Sequence, residues 1–271
     1  MSGVTSVSTD TGLEVFDLSS DADFAARRLH VRDIAIQRAG MHRIAKAFVE
    51  DPQTILQELV DSAVELCGAD SAGISIEMAD GSDENFYQWV ATAGQYENFL
   101  DAVLPRYPSA CGMCLERGRP QLFRVGQRFF DRMGVDAPIV TDGMLLPWTV
   151  DQTRGTIWIM AHGRTEAFDR NDLEMMELLA DFAAMGVRHQ GQQKLRVAEA
   201  TAAATNALAD ALAHKINNPL QSLMNLAYLA TIGEPGGDAK DLAGQMAEHI
   251  ERLSVLVKKL LDLPVGSIRS K

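Results

Sequence analysis

The chain has 271 residues, 46% of them hydrophobic, with a formal net charge of −12 and a pI near 4.9. That acidity argues against non-specific nucleic-acid binding, which needs a basic footprint. No stretch reaches the ~18–20 uninterrupted apolar residues of a membrane span, and the N-terminus lacks a basic start followed by an apolar run. A cytoplasmic protein with neither nucleic acid nor membrane as partner is expected. The length accommodates about two domains, and the three cysteines suit a reducing compartment with no disulfide framework.

Residues 1–20 are small and polar and read as a disordered N-terminus. Residues 21–50 turn helical, with Ile34, Ile36, Met41, Ile44, Ala45 and Phe48 as an imperfect apolar stripe. Asp51 and Pro52 read as the N-cap and first turn of a further helix carrying Ile55, Leu56, Leu59, Val60, Ala63 and Leu66 and stopping at Gly68. Ser71–Met78 and Phe86–Ala93 read as strands around a turn at Asp80–Asp83, and Met144–Val150 and Gly155–Ala161 as two more. After Phe168, Asp169–Asn171 caps a helix bearing Leu173, Met176, Leu179, Phe182 and Val187.

Helix, hairpin, an irregular middle, a second hairpin and a helix is an α+β layout that resembles a GAF sensor domain. The wording agrees with GAF domains attached to histidine kinases at Cys67-Gly-Ala-Asp-Ser-Ala-Gly-Ile-Ser-Ile, at Ser109-Ala-Cys-Gly-Met-Cys-Leu-Glu-Arg-Gly-Arg-Pro-Gln-Leu-Phe and at Gly155-Thr-Ile-Trp-Ile-Met-Ala-His. The resemblance assigns residues 51–189 to the domain. It implies an antiparallel sheet flanked by helices and a small-molecule pocket, without naming the ligand, since the family binds molecules as different as cyclic nucleotides, haem and bilins. Cys111 and Cys114 form a Cys-x-x-Cys pair in the presumed pocket loop. A metal would want two further ligands, and no second pair exists. Two readings stand for the thiols: small buried apolar groups, or a local disulfide switch. His162 reads as a strand-end or core histidine, and Trp89, Trp148 and Trp158 as fillers of the sheet core.

Asp172 to Ile232 reads as nearly one continuous helix. Within it residues 190–210 are Ala-rich, with Leu195, Ala198, Ala202, Thr205 and Leu208 or Ala209 at coiled-coil steps, as suits a signalling helix or a plain linker. Residues 211–271 then read as a helical hairpin. Leu212, Ile216, Leu220, Leu223 and Ala227 form one stripe, Thr231–Gly237 is a concentrated turn signal, and Asp238 caps a second helix with Leu242, Met246, Ile250, Leu253, Val257, Leu260 and Leu261 on its apolar side, ending near Pro264 and Gly266. One hairpin cannot bury both stripes, and pairing of two copies into a four-helix bundle hides them.

The run Ala-Leu-Ala-His-Lys-Ile-Asn-Asn-Pro-Leu at 211–220 resembles the phosphoacceptor motif of two-component sensor histidine kinases. His214 lies ~200° around the helix from Ile216 and so points away from the stripe. The resemblance implies His214 as phosphoacceptor, Asn218 as an orienting or phosphatase-type residue, and Pro219 as a bend. Lys215 stands where the family has an acid that draws the imidazole proton, which is work an ammonium cannot do at neutral pH. The family's ATP-binding motifs do not occur before Lys271, so autonomous kinase activity is not expected. The expected function is a homodimeric signalling protein with a GAF input domain and a phosphorelay or phosphatase-like role towards a response regulator or partner histidine kinase. The alternative is a dimeric adaptor that binds such a partner and never carries phosphate.

Overall fold

The computed structural model describes residues 11–18, 21–79, 81–232 and 239–261. The chain divides into two compact units, residues 1–193 and 194–271.

In the first unit the elements run β1 (Leu13–Asp17), α1 (Ala22–Ala25), α2 (Ile34–Glu50), α3 (Ile55–Cys67), β2 (Ser71–Glu77), β3 (Tyr87–Gly94), β4 (Val103–Leu104), α4 (Ala110–Arg117), β5 (Gln121–Val125), α5 (Gln127–Met133), β6 (Val140–Val150) and β7 (Thr153–Ala161), then the first part of α6 (Arg170–Ile232). The strands form one antiparallel sheet in the order β1-β5-β6-β7-β2-β3-β4.

Both faces of the sheet are buried, and alternation along each strand decides which side chain goes where. In β7, Ile157 and Ile159 face the layer built by α2, α3 and the start of α6, while Trp158 and Met160 face α4 and α5. In β3 the alternation breaks. Tyr87 and Trp89 point to one face and Ala91 and Ala93 to the other, because a bulge sets Ile74 opposite Ala91 but Ser75 opposite Trp89. The room for Trp158 comes from its cross-strand partner Gly73, where a Cβ would sit 2.1 Å from the indole. On α3, Ile55, Leu59, Val60, Ala63 and Leu66 recur on one face and are buried, each large one contributing about 1.5–3 kcal/mol. Gly68 ends that helix in the left-handed conformation at φ 59°.

A strap at residues 26–33, between α1 and α2, is sewn to the loop that starts α6. Arg27 donates from Nη1 to Asp142 Oδ2 at 2.7 Å, from Nη2 to Asp142 Oδ1 at 3.0 Å, and to the Phe168 carbonyl at 2.8 Å. The His30 backbone N–H and Nδ1 both meet Asp169 Oδ2, and Arg32 grips Asp172 through Nε at 3.1 Å and Nη2 at 2.8 Å. Burial alone would lift the Asp169 carboxyl, but N–H donors from His30, Asp172 and Asn171 hold it below the usual carboxylate value. A carboxylate depressed in the folded state stabilises at neutral pH, and that contribution is lost as the pH falls below about 4.

The sequence pattern places β2, β3, β6 and β7 within a few residues of where they lie, and the long helix from 170 to 232 is continuous through the Ala-rich stretch and through Pro219. Other expectations are corrected. Residues 13–17 are not disordered but form the edge strand β1, with Leu13 and Val15 buried: a period-2 pattern only five residues long sits inside a polar stretch. Residues 21–50 are not one helix, because Asp21 and Asp33 each cap a separate one. Asp51 and Pro52 belong to a turn closed by the Thr54 N–H on the Asp51 carbonyl, and α3 starts at Ile55 with Thr54 at its N-cap. The irregular middle holds β4, α4, β5 and α5. Of the turn expected at Asp80–Asp83, Asp80 lies outside the described residues, as do the turn at 233–237, Asp238, Pro264 and Gly266.

The Arg27 and Asp142 side chains are only 5% and 2% exposed. Arg27→Ala leaves a buried carboxylate without its partner and is expected to destabilise the protein by about 3–5 kcal/mol. All three tryptophans lie in the first unit, so their fluorescence during urea unfolding of the full chain measures that loss.

Candidate functional site

The second unit contains the distal part of α6 and the helix α7 (Ala239–Leu261). On α6, Leu212 is 8% exposed and Pro219 is buried, while Ile216, Leu223 and Leu226 are half-buried. These covered positions step by four, three, four and three residues, a heptad seam. The expected stripe is right at Leu212, Ile216 and Leu223 but not at its other two positions. Leu220 is 46% exposed and Ala227 exposed, because the seam follows a 3.5-residue repeat and takes Pro219 and Leu226, one residue earlier in each case.

His214, Lys215 and Asn218 are all exposed. Asp210, His214 and Asn218 follow at four-residue steps and make one polar row, set roughly opposite the covered seam. His214 is therefore open to a partner. The motif marks His214 and Asn218 in the sequence, whereas Asp210 precedes it and carries no motif signal of its own.

On α7, Met246, His249, Leu253 and Leu256 are half-covered, whereas Ile250 is 53% exposed and Val257 also open. Nδ1 of His249 is buried and, among the described residues, without a hydrogen-bond partner. The side chains of Leu242, Leu260 and Leu261 lie outside the described residues. Leu220, Met224 and Tyr228, at four-residue steps on α6, form a further exposed apolar row.

In the first unit, the face of the sheet under α4 is packed with aromatic rings. Trp89 lies 4.8 Å from Trp158 and 6.0 Å from Tyr96, centroid to centroid, and among the described residues the indole N–H of Trp158 has no hydrogen-bond partner. Trp89 and Trp158 fill this face and Trp148 the other, as the sequence suggests. Cys111 and Cys114 are one turn apart on α4, and both are buried. Burial pushes both thiols above the ordinary value, Cys114 well above it, although the Thr156, Tyr87 and Ser75 hydroxyls and the Trp89 indole counteract this at Cys111. The Cys114 thiol faces the Arg119 and Leu145 carbonyls at 3.5 and 3.8 Å. Buried, protonated thiols are poor nucleophiles, so the geometry favours packing over a switch.

His162, at the end of β7, engages both ring nitrogens: Nδ1 meets the Ile139 carbonyl at 2.9 Å and Nε2 the Ser71 hydroxyl at 2.7 Å, with the Tyr96 ring stacked 5.0 Å away. His30, Asp169 and Asp172 bring ligand-type atoms within 4.8 Å of one another. Each of these carboxylate oxygens accepts hydrogen bonds from Arg32, from His30 or from N–H groups at the start of α6. The cluster is the cap of a helix, closed by a guanidinium.

The GAF domain family matches residues 51–187, and the chain belongs to that family. The sensor histidine kinase ZraS of Escherichia coli (strain K12) is 46% identical over 57 residues, which cover 21% of this chain and 12% of that protein. The ZraS of Salmonella typhimurium is 44% identical over the same length. The matched segment is thus a small fraction of these relatives. Among solved structures, the GAF domain of an Acinetobacter phosphoenolpyruvate-protein phosphotransferase covers 58% of this chain and 95% of its own, at 12% identity and a TM-score of 0.46. Among the described residues no helix is long and apolar enough to cross a membrane.

Burial of the thiols sets their expected reactivity. At pH 8 the native protein should be alkylated at Cys111 and Cys114 at least about a hundredfold more slowly than the chain in 8 M urea, because reaction requires both opening and deprotonation. Site-resolved mass spectrometry of a time course measures this, and rapid labelling of Cys111 in the native protein would favour the switch.

Proposed function

We propose that this GAF-domain protein is a two-component signalling protein in which the GAF domain is the input and the hairpin of α6 and α7 carries the phosphoryl group on His214. The observation that carries the reading is the placement of His214: exposed, on a regular helix, with Asn218 one turn on and the covered seam of Leu212, Ile216 and Pro219 turned away from it. A phosphoacceptor has to be reached by another protein, and a histidine on the covered side could not be. The local likeness to a sensor histidine kinase supports the same class.

The reading includes a homodimer. Two exposed apolar rows on one hairpin, Leu220, Met224 and Tyr228 on α6 and Ile250 and Val257 on α7, are what a second copy would cover in a four-helix bundle. A response regulator or a partner histidine kinase would exchange phosphate with His214, with Asn218 placed to orient water or substrate. The adaptor reading is favoured by one residue, Lys215, whose ammonium stands beside His214 where the family places an acid.

Two outcomes are expected. Radiolabel from a phosphorylated response regulator or partner kinase appears on the full chain, is acid-labile and is lost in His214→Ala; unlabelled wild type that still binds the partner would establish the adaptor. Light scattering at tens of micromolar gives a dimer, and Leu220→Glu with Ile250→Glu shifts it at least tenfold towards monomer.

A further inference from the structure

We propose that Asp210 is the positioning residue and proton acceptor for His214, the place left open by Lys215; this rests on the phosphoacceptor reading. Asp210 is the only acidic residue between Glu199 and Glu234. It is exposed, and among the described residues neither its side chain nor that of His214 makes a hydrogen bond or ion pair.

The geometry is that of a regular helix. Residues four apart are separated by ~6 Å along the axis and ~40° around it, and α6 is helical throughout this region. Helical side chains lean towards the N-terminus. The His214 ring therefore tilts over the turn that holds Asp210, while Lys215 is set ~100° around the helix. A carboxylate and an imidazole at this spacing are within reach of each other by side-chain rotation alone.

In the transfer, the Nε2 lone pair of neutral His214 attacks the phosphorus of a donor, the bond from phosphorus to the leaving group breaks, and the new Nε2–P bond forms. The imidazole thereby gains positive charge, and the Nδ1 proton passes to the Asp210 carboxylate and from there to water. With phosphoramidate as donor the P–N bond breaks and ammonia leaves.

Phosphoramidate provides the test without any partner protein. The full chain is treated at neutral pH and phosphate on each histidine is followed by mass spectrometry. His42 serves as internal reference: it too is exposed on a helix, but has Arg38 at the position corresponding to Asp210. His214 should label faster than His42, and Asp210→Asn should slow His214 about tenfold or more with His42 unchanged. Asp210→Glu should retain the rate, and Lys215→Glu added to Asp210→Asn should restore it, since both return a carboxylate beside the ring. Far-UV circular dichroism verifies that the helix persists in every variant. Wild-type labelling of His214 in Asp210→Asn overturns the role of Asp210 while leaving the phosphoacceptor reading intact. Labelling of wild-type His214 no faster than His42 overturns both.

Discussion

Three carboxylates, Asp142, Asp169 and Asp172, are buried where α6 begins, and none could stay there without a partner. The strap supplies one cation or ring nitrogen to each, through Arg27, His30 and Arg32. Much of the first unit follows from that constraint. The strap ties the segment carrying β1 and α1, and the start of α2, to the loop from which α6 emerges. Asp169 and Asp172 also satisfy N–H groups of the first turn of α6, so the same two side chains neutralise the strap and cap the helix. Removing one member exposes the others to an uncompensated charge, which makes the cluster cooperative rather than a sum of three pairs.

The sheet shows a second constraint, the matching of glycines with large rings. Gly73 lies opposite Trp158, a Cβ on Gly143 would meet the Phe123 ring at 2.5 Å, and one on Gly155 would meet the Trp148 indole at 2.1 Å. The indoles are accommodated where the facing backbone lacks a Cβ, and the face under α4 is filled by Trp89, Tyr96 and Trp158.

What the sequence makes legible follows the length and periodicity of each segment. β6 and β7 declare themselves through long apolar runs around a turn, and α3 through a clean stripe ended by glycine. β1 and β5, five residues each, are too short to stand out, and α4 hides behind Gly112, Cys111 and Cys114, which are weak helix formers. Gly112 is required there, since a Cβ would sit 2.2 Å from the Arg106 carbonyl. At the candidate site, the motif made His214, Lys215 and Asn218 visible. The true seam was not, because apolar residues on both hairpin helices outnumber those a single hairpin covers, and a 3.6-residue and a 3.5-residue repeat select different members of the set.

Pro219 illustrates how the seam and the acceptor are joined. A proline inside a helix forgoes one backbone hydrogen bond and costs about 3 kcal/mol, yet α6 continues through it. Part of that cost is offset by burial, since Pro219 occupies a covered position between Ile216 and Leu223. The hydrogen bond forgone is the one to the carbonyl four residues earlier, that of Lys215. The backbone just after His214 thus carries an acceptor with no helical donor, on the turn where the polar row of Asp210, His214 and Asn218 is exposed. Packing and loosened hydrogen bonding come from the same residue and lie on the same side of the helix, with the freed carbonyl one residue after the acceptor position.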